Sequence, residues 1–229
     1  MHRRDLMIAS LLTLPLRARR AQAAATPVVL ELFTSQGCSS CPPADALLGE
    51  LVRQPGVIGL AWHVDYWNSL GWHDPFARSE WTDRQKAYAR HLQGDVYTPA
   101  LVVNGAALLV GSDRAGVRQA IDQTAPQSVT VTLRRGPSEL EAEIGAASSA
   151  LTGLLVSYDP EVATQVGAGE NGGRRLVEYR VVRDATVLDR LTPRLSLPDV
   201  AAGRGAVLLL QDAALRVVGA AELPPARPA

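Results

Sequence analysis

Hydrophobic and polar positions change their period twice along this chain, and the changes mark out its elements. The run Val28-Val29-Leu30-Glu31-Leu32-Phe33 reads as a strand, and beyond it Ala44, Leu47, Leu48, Leu51 and Val52 recur at helical spacing over roughly residues 41–53. Gly56 to Val64 is a short apolar run suited to a buried strand. A second helix is predicted from Pro75 through Leu92, with Trp81, Gln85, Tyr88, Ala89 and Leu92 along one side, Asp74 as its cap and Pro75 at its first position. Pro99 precedes a strand, Ala100 to Val103, because proline cannot donate to a ladder and belongs at a strand start. Asn104-Gly105 is a tight-turn pair leading into a strand over Ala106 to Val110, and Ser112 is placed to cap a helix through Thr124 whose inward face holds Val117, Ala120 and Ile121. Strand, helix, strand, helix, strand, strand, helix over residues 28–125 suits an α/β fold: a mostly parallel, mixed sheet with an antiparallel hairpin at one edge and helices on both faces.

Past Ala125 the period becomes two. Ser128 to Leu133 alternates, Arg135-Gly136-Pro137 turns, and Glu139 to Ile144 alternates again. Further strands are expected over Leu151 to Tyr158, Leu176 to Val182, Ala206 to Gln211 and Leu215 to Val218, with the glycine-rich loop 167–173 between the middle pair. Residues 126–221 therefore read as an all-β, sandwich-like subdomain of about six strands, following a first domain over 24–125 and leaving 222–229 as a tail, disordered from Pro224 onward.

The first 23 residues have another character. Basic residues open the chain, a short apolar core follows, and Ala21-Gln22-Ala23 supplies an export-type cleavage site, so 1–23 reads as an export signal. The apolar run is too short to cross a bilayer, and Arg3-Arg4 ahead of Asp5-Leu6-Met7 has the look of a twin-arginine signal. The expected location is the periplasm or the medium. Without those residues the chain keeps 18 basic and 22 acidic side chains, a formal net charge of −4. No basic surface of the kind that binds nucleic acid follows from this, and no spanning segment remains in the mature chain.

The candidate chemistry lies between the first strand and the first helix. Phe33-Thr34-Ser35-Gln36-Gly37-Cys38-Ser39-Ser40-Cys41-Pro42-Pro43 contains the only two cysteines in 229 residues. Three residues apart at a strand-to-helix junction, they form a candidate redox pair, with Cys38 an exposed nucleophile favoured as thiolate by unpaired helix N–H groups and Cys41 the resolving thiol one turn later. The same spacing also serves a structural disulfide in a protein- or peptide-binding module. It would equally supply half of a zinc or copper site, completed by a histidine or carboxylate from the 63–74 loop; His63, His73, His91, Asp65 and Asp74 are the available side chains, in no recognised ligand spacing. Three of the four tryptophans stand at positions 62, 67 and 72 on or after the second strand. Tyr66, Trp67, Trp72 and, beside Thr98, Tyr97 are candidates for a peptide-binding wall, or for side chains that pack the loop onto the core.

Three segments, Glu31 to Asp45, His63-Val64-Asp65-Tyr66-Trp67 and Tyr97-Thr98-Pro99, together resemble the DUF1223 family of exported bacterial proteins over about residues 28–221, with residues 28–125 similar to a thioredoxin-fold domain. The resemblance implies that Cys38 attacks a disulfide, that Cys41 resolves the mixed disulfide, that Pro99 is cis and faces the cysteines, and that Thr98 holds an extended substrate through its backbone. The expected activity is thiol–disulfide exchange with protein or peptide partners, with no cofactor beyond a Cys38–Cys41 disulfide and no metal. Gly37 stands where thioredoxins carry tryptophan, and Ser39-Ser40 stand between the cysteines in place of Gly-Pro. The buried strand aspartate of many thioredoxins has no clean match; Glu31, one residue away, is either displaced into its proton-transfer role or an edge carboxylate facing solvent.

Overall fold

The computed structural model describes residues 26–145 and 150–226. The export-signal reading of 1–23 and the end of the expected tail lie outside the described residues.

Strand β1 (Val28–Thr34) is followed by helix α1 (Pro42–Leu51) and strand β2 (Val57–His63). Both strands are almost wholly buried, as their continuous apolar runs require, and they pair in parallel from Val28↔Val57 to Thr34↔His63. Helix α2 spans Ser79–Leu92, and strands β3 (Ala100–Val103) and β4 (Ala107–Val110) follow, then helix α3 (Arg114–Asp122). The sheet is mixed rather than mostly parallel. Strand β3 runs antiparallel to β1, with Ala100 opposite Phe33 and Val103 opposite Leu30, and β4 returns antiparallel to β3 through the Asn104-Gly105 turn.

Two helix starts are corrected. The expected cap and first turn at Asp74-Pro75 do not form; α2 begins at Ser79 because Asp74 is drawn into buried bonds with His63 and the Gln36 backbone. Helix α3 is capped by Asp113, whose Oδ1 accepts from the Gly116 N–H, rather than by Ser112, and it ends at Asp122.

The β part supplies β5 (Val131–Arg135), β6 (Leu140–Ile144), β7 (Thr152–Gln165), β8 (Arg175–Leu188), β9 (Arg194–Leu197), β10 (Gly205–Gln211) and β11 (Val217–Leu223). It is not a self-contained sandwich. Four of its strands continue the first sheet, giving the eight-stranded order β11-β10-β7-β8-β2-β1-β3-β4, while β5, β6 and β9 form a second, three-stranded sheet. An apolar layer between them holds Leu133, Leu140, Ile144, Leu155, Leu197, Leu208 and Leu210. On the large sheet, Leu30 and Leu32 pack with Leu47, Leu48, Leu51 and Val117 from α1 and α3. Val29, Phe33 and Trp62 pack on the other side with Trp81 and Tyr88 of α2 and with Tyr158, Val207 and Leu209. The 14-residue strands β7 and β8 outrun the expected segments, because Asp159 to Gln165 of β7 continue past its apolar stretch to pair with Arg175 to Val181, and Asp184 to Leu188 of β8 continue past Val182 to pair with Gly153 to Ser157. Strand β8 meets β2 only at Ala61↔Val181. Just before that point Arg180 has φ 59, and Tyr179 lies against Gly49 and Arg53 of α1.

Candidate functional site

The topology gathers three loops at one end of the sheet. Because β1 and β2 are parallel, the Ser35–Cys41 and Val64–Asp74 loops leave from the same edge. Because β3 is antiparallel, Thr98 and Pro99 enter it at that edge too. A Cβ added to Gly111 would lie 3.2 Å from Cβ of Ala44 and 3.5 Å from Cβ of Pro99, which puts Pro99 beside the first turn of α1. The Thr98–Pro99 peptide bond is cis.

Cys38 and Cys41 form a disulfide, with Cα atoms 5.5 Å apart and Cys41 as the N-cap of α1. The expected exposed nucleophile is not found: both cysteines are 0% exposed, although Ser39 and Ser40 between them reach solvent. The expected free helix N–H groups are missing as well. Pro42 and Pro43 carry none, the Ala44 and Asp45 N–H groups both donate to the Cys41 carbonyl, Cys41 N–H donates to the Cys38 carbonyl, and Ser39 N–H donates to Glu170. The Ser40 hydroxyl, 3.3 Å from the Cys38 sulfur, is the polar group the loop itself presents to it.

On the same face of α1 as Cys41, one turn on, stands Asp45, a buried carboxyl. It belongs to a cluster with His63 of β2, Asp74 of the following loop and Glu178 of β8, all fully or nearly fully buried. His63 Nδ1 lies 2.7 Å from Asp74 Oδ2, and its Nε2 is 3.7 Å from Glu178 Oε1. Burial alone would depress the imidazole, but the charges of Asp74 and Glu178 and the bond to Asp74 outweigh it and hold its pKa at about 9. Asp74 is correspondingly held below its ordinary value, against the effect of burial, by His63 and by the Gln36 and Phe76 N–H groups. Burial, then repulsion from Glu178, pushes Asp45 up to about 7; burial also raises Glu178, against the pull of His63 and Gln36. Four buried atoms here have no hydrogen-bond partner among the described residues: Thr34 Oγ1, Asp45 Oδ1, His63 Nε2 and Glu178 Oε1. Two of the four face each other as the His63–Glu178 ion pair, and Thr34 lies against the Asp45 carboxyl and lowers its pKa, so the cluster is charged and imperfectly paired, as buried ionisable groups at functional sites often are.

The aromatic residues line the next stretch of the same edge. Trp67 donates from Nε1 to Thr98 Oγ1 at 2.8 Å, and a Cβ on Gly37 would come within 2.9 Å of its Cβ, so the missing side chain at 37 makes room for Trp67. Trp72 donates to Gln36 Oε1 at 3.0 Å. Tyr66, 38% exposed, reaches Gln85 through its hydroxyl, and Gln85 in turn donates to the Tyr97 carbonyl. Glu31 is elsewhere. Strand alternation sends Leu30 and Leu32 toward α1 and Glu31 toward α2, where Arg84 grips its carboxylate at 2.7 and 3.0 Å and Tyr88 donates to it, with Gln211 completing the group. At 1% exposure it is not an edge carboxylate, and its position on the α2 face takes it out of proton transfer with the cysteines.

The family model for DUF1223, described as a protein of unknown function, matches residues 29–211. The chain belongs to that family. It is also similar to the crystal structure of protein AGR_C_4864 from Agrobacterium tumefaciens, at 32% identity and a TM-score of 0.77, over 90% of this chain and 97% of that one. A second solved structure, HBP35 of Porphyromonas gingivalis, is 14% identical with a TM-score of 0.58, covering 90% of this chain and 78% of that one, which speaks to the fold alone. No curated protein matches the chain.

What this DUF1223 protein adds to its sequence pattern is the contribution of the β part to the cysteine loop. Asn171 Nδ2 donates to the Gln36 and Cys38 carbonyls at 3.0 and 2.9 Å, Glu170 accepts from Ser39 N–H at 3.0 Å, and Gln36 Nε2 donates to Glu178 and Thr164. None of Asp45, Glu170, Asn171 or Glu178 stands out in the sequence. One usable signal was Gly49, one turn after Asp45: a glycine inside a helix marks close approach, and here a Cβ would strike the Tyr179 ring at 2.2 Å. Among the described residues no group of three or more His, Cys, Asp and Glu side chains is arranged to hold a metal ion, and His73 and His91 are exposed. Nor, among them, is any helix long and apolar enough to cross a membrane.

Proposed function

We propose that this protein exchanges disulfides with exported proteins or peptides through Cys38 and Cys41, in the periplasm or the medium, where an oxidising environment maintains such bonds. The observation that carries the reading is the Cys38–Cys41 disulfide at the start of α1 with Pro99 packed beside the same turn. In the reducing direction, the Cys38 thiolate attacks a substrate disulfide and one substrate sulfur leaves as thiolate. Cys41 then gives up its proton, attacks Cys38 Sγ, forms the internal disulfide and expels the second substrate sulfur; two electrons pass to the substrate, whose two thiolates take up the Cys41 proton and one proton from solvent. The Ser40 hydroxyl is placed to donate to the Cys38 sulfur. Asp45, on the face of Cys41 and with a pKa of about 7, is suited to accept the Cys41 proton near neutrality, with His63 and Glu178 sharing the charge. Tyr66, Trp67, Trp72 and Tyr97 would flank an extended peptide held at the backbone of Thr98.

A second reading has its own support. Two cysteines without exposed surface suit an inert disulfide in a binding module that uses the same aromatic edge. The reduction potential of the couple, measured by equilibration with glutathione or dithiothreitol, separates the two. A value between about −120 and −270 mV is expected for exchange, whereas one below about −300 mV marks a structural bond and transfers the case to the binding module. Loss of peptide-disulfide exchange in Cys38→Ser is the companion result.

A further inference from the structure

The β7–β8 hairpin tip sits on the backbone of the cysteine loop, and its attachments have an unusual composition. Asn171 is 0% exposed and spends both amide hydrogens on Gln36 O and Cys38 O, while Arg174 Nη1 donates to its Oδ1 at 2.6 Å and fixes the orientation of the amide. Glu170 places a carboxylate on the N–H of Ser39, the residue after Cys38. The rest of the tip, Gly167, Ala168, Gly169, Gly172 and Gly173, is exposed. Val166 anchors the base of the tip in the interior and the Trp72 ring lies against Gly167 and Gly169, while at Gln36, Cys38 and Ser39 the tip is held by hydrogen bonds. Such an attachment can open without unfolding the sheet beneath it.

We infer that Glu170 and Asn171 are specificity-determining residues, forming a latch that a thiol partner must displace before it reaches the buried Cys38–Cys41 bond. The inference rests on the exchange reading for its biological sense, but the latch itself concerns access to the disulfide and is tested separately. Charge gives it a direction. Reduction turns a neutral disulfide into a pair of groups that can carry a negative charge at Cys38, next to the Ser39 N–H that Glu170 occupies, and the two negative charges oppose each other. By reciprocity, whatever the carboxylate costs the thiolate, the thiolate costs the latch. The tip is therefore closed on the disulfide and loosened on the dithiol, and a partner able to compete for the Ser39 N–H and the Cys38 carbonyl, such as an extended peptide backbone, opens it where a bulky globular surface does not.

The test is the rate at which dithiothreitol reduces the oxidised protein, compared among wild type, Glu170→Ala, Asn171→Ala and Arg84→Met. In this reaction the reagent loses two electrons and two protons, which appear on Cys38 and Cys41. Each latch variant is expected to be reduced faster, by about tenfold for the loss of one or two such bonds, with Ser39 amide hydrogen exchange quickened while β1 amides keep their protection. Arg84→Met weakens the fold on the opposite face of the sheet and controls for global loosening. Latch variants no faster than wild type, or faster only in proportion to their lost global stability on the line set by Arg84→Met, would overturn the latch. A potential below about −300 mV would remove the exchange reading while leaving this comparison of rates intact.

Discussion

Asp45 offers the sharpest test of the buried cluster, because its charge state is tied to stability. Its carboxyl has a reference value of 3.8 and titrates at about 7 in the fold, with only 4% of the residue exposed. Holding this carboxyl at about 7 rather than 3.8 amounts to something on the order of 4 kcal/mol. The sign follows from which state holds the proton. Between pH 4 and 7 the folded protein keeps a proton that the unfolded chain has released, so this stabilisation is complete below about pH 4 and is lost as pH rises through 7. A carboxamide cannot ionise. In Asp45→Asn that decline disappears, and the unfolding free energy of the variant minus that of wild type rises between pH 4 and 8.5. His63, raised from 6.5 to about 9, loses its own stabilising contribution as pH climbs from 6.5 through 9 in both proteins. Since the Asp45 charge is among those supporting protonated His63, the cancellation is partial, and a net rise of about 2–4 kcal/mol is expected. Urea unfolding of the oxidised proteins followed by circular dichroism, at steps of about half a pH unit, measures it. A difference constant to within about 0.5 kcal/mol across the range would show that Asp45 ionises as freely in the fold as in the unfolded chain, and the argument for it as a proton acceptor near neutrality would go with it.

Two further changes probe the surroundings. Arg84→Met leaves Glu31, 1% exposed, without its guanidinium; a loss of about 3–5 kcal/mol is expected in urea unfolding, with part of it restored by adding Glu31→Gln, and a loss under about 1 kcal/mol would contradict the buried pairing. Trp67→Phe removes the bond to Thr98 at a cost of about 1 kcal/mol; if the aromatic edge holds peptide, KM for a peptide disulfide rises while the rate with a small disulfide stays put, and equal losses with both would reduce Trp67 to a packing residue.

How far the sequence was legible depends on the range of the interaction that places each residue. Strands β1 to β4 and the α1 face were readable because apolar periodicity is local, and Leu140 to Ile144 alternates in the structure as it does in the sequence. The pattern at Asp74-Pro75 is equally local and equally good, yet it lost to a longer-range bond: His63, 11 residues away, offers a buried positive charge that a helix N-terminus cannot match. Glu31 was misplaced for the same reason. Its neighbours Leu30 and Leu32 were read correctly, but the partner that decides its surroundings, Arg84, is 53 residues on. The hairpin tip is the extreme case, since Asn171 meets Cys38 across 133 residues, and a glycine-rich loop has the same composition whether it is an idle connector or holds down a disulfide.

The β part therefore belongs to the site in a physical sense. Gln36 illustrates why: its side chain takes a bond from Trp72 and gives bonds to Thr164 and Glu178, while its backbone N–H goes to Asp74 and its carbonyl to Asn171. A polar residue at 0% exposure two positions before Cys38 is tolerable only if all of those partners are present, and two of the side chains it bonds and the amide on its carbonyl come from the β7–β8 hairpin. The apolar side repeats the logic, since Val29, Phe33 and Trp62 share one core with Tyr158, Val207 and Leu209. Isolated from the hairpin, the cysteine loop would hold an unsatisfied glutamine, an uncovered Asp45 and a free Ser39 N–H. The groups around the Cys38–Cys41 bond therefore come from both halves of the chain together.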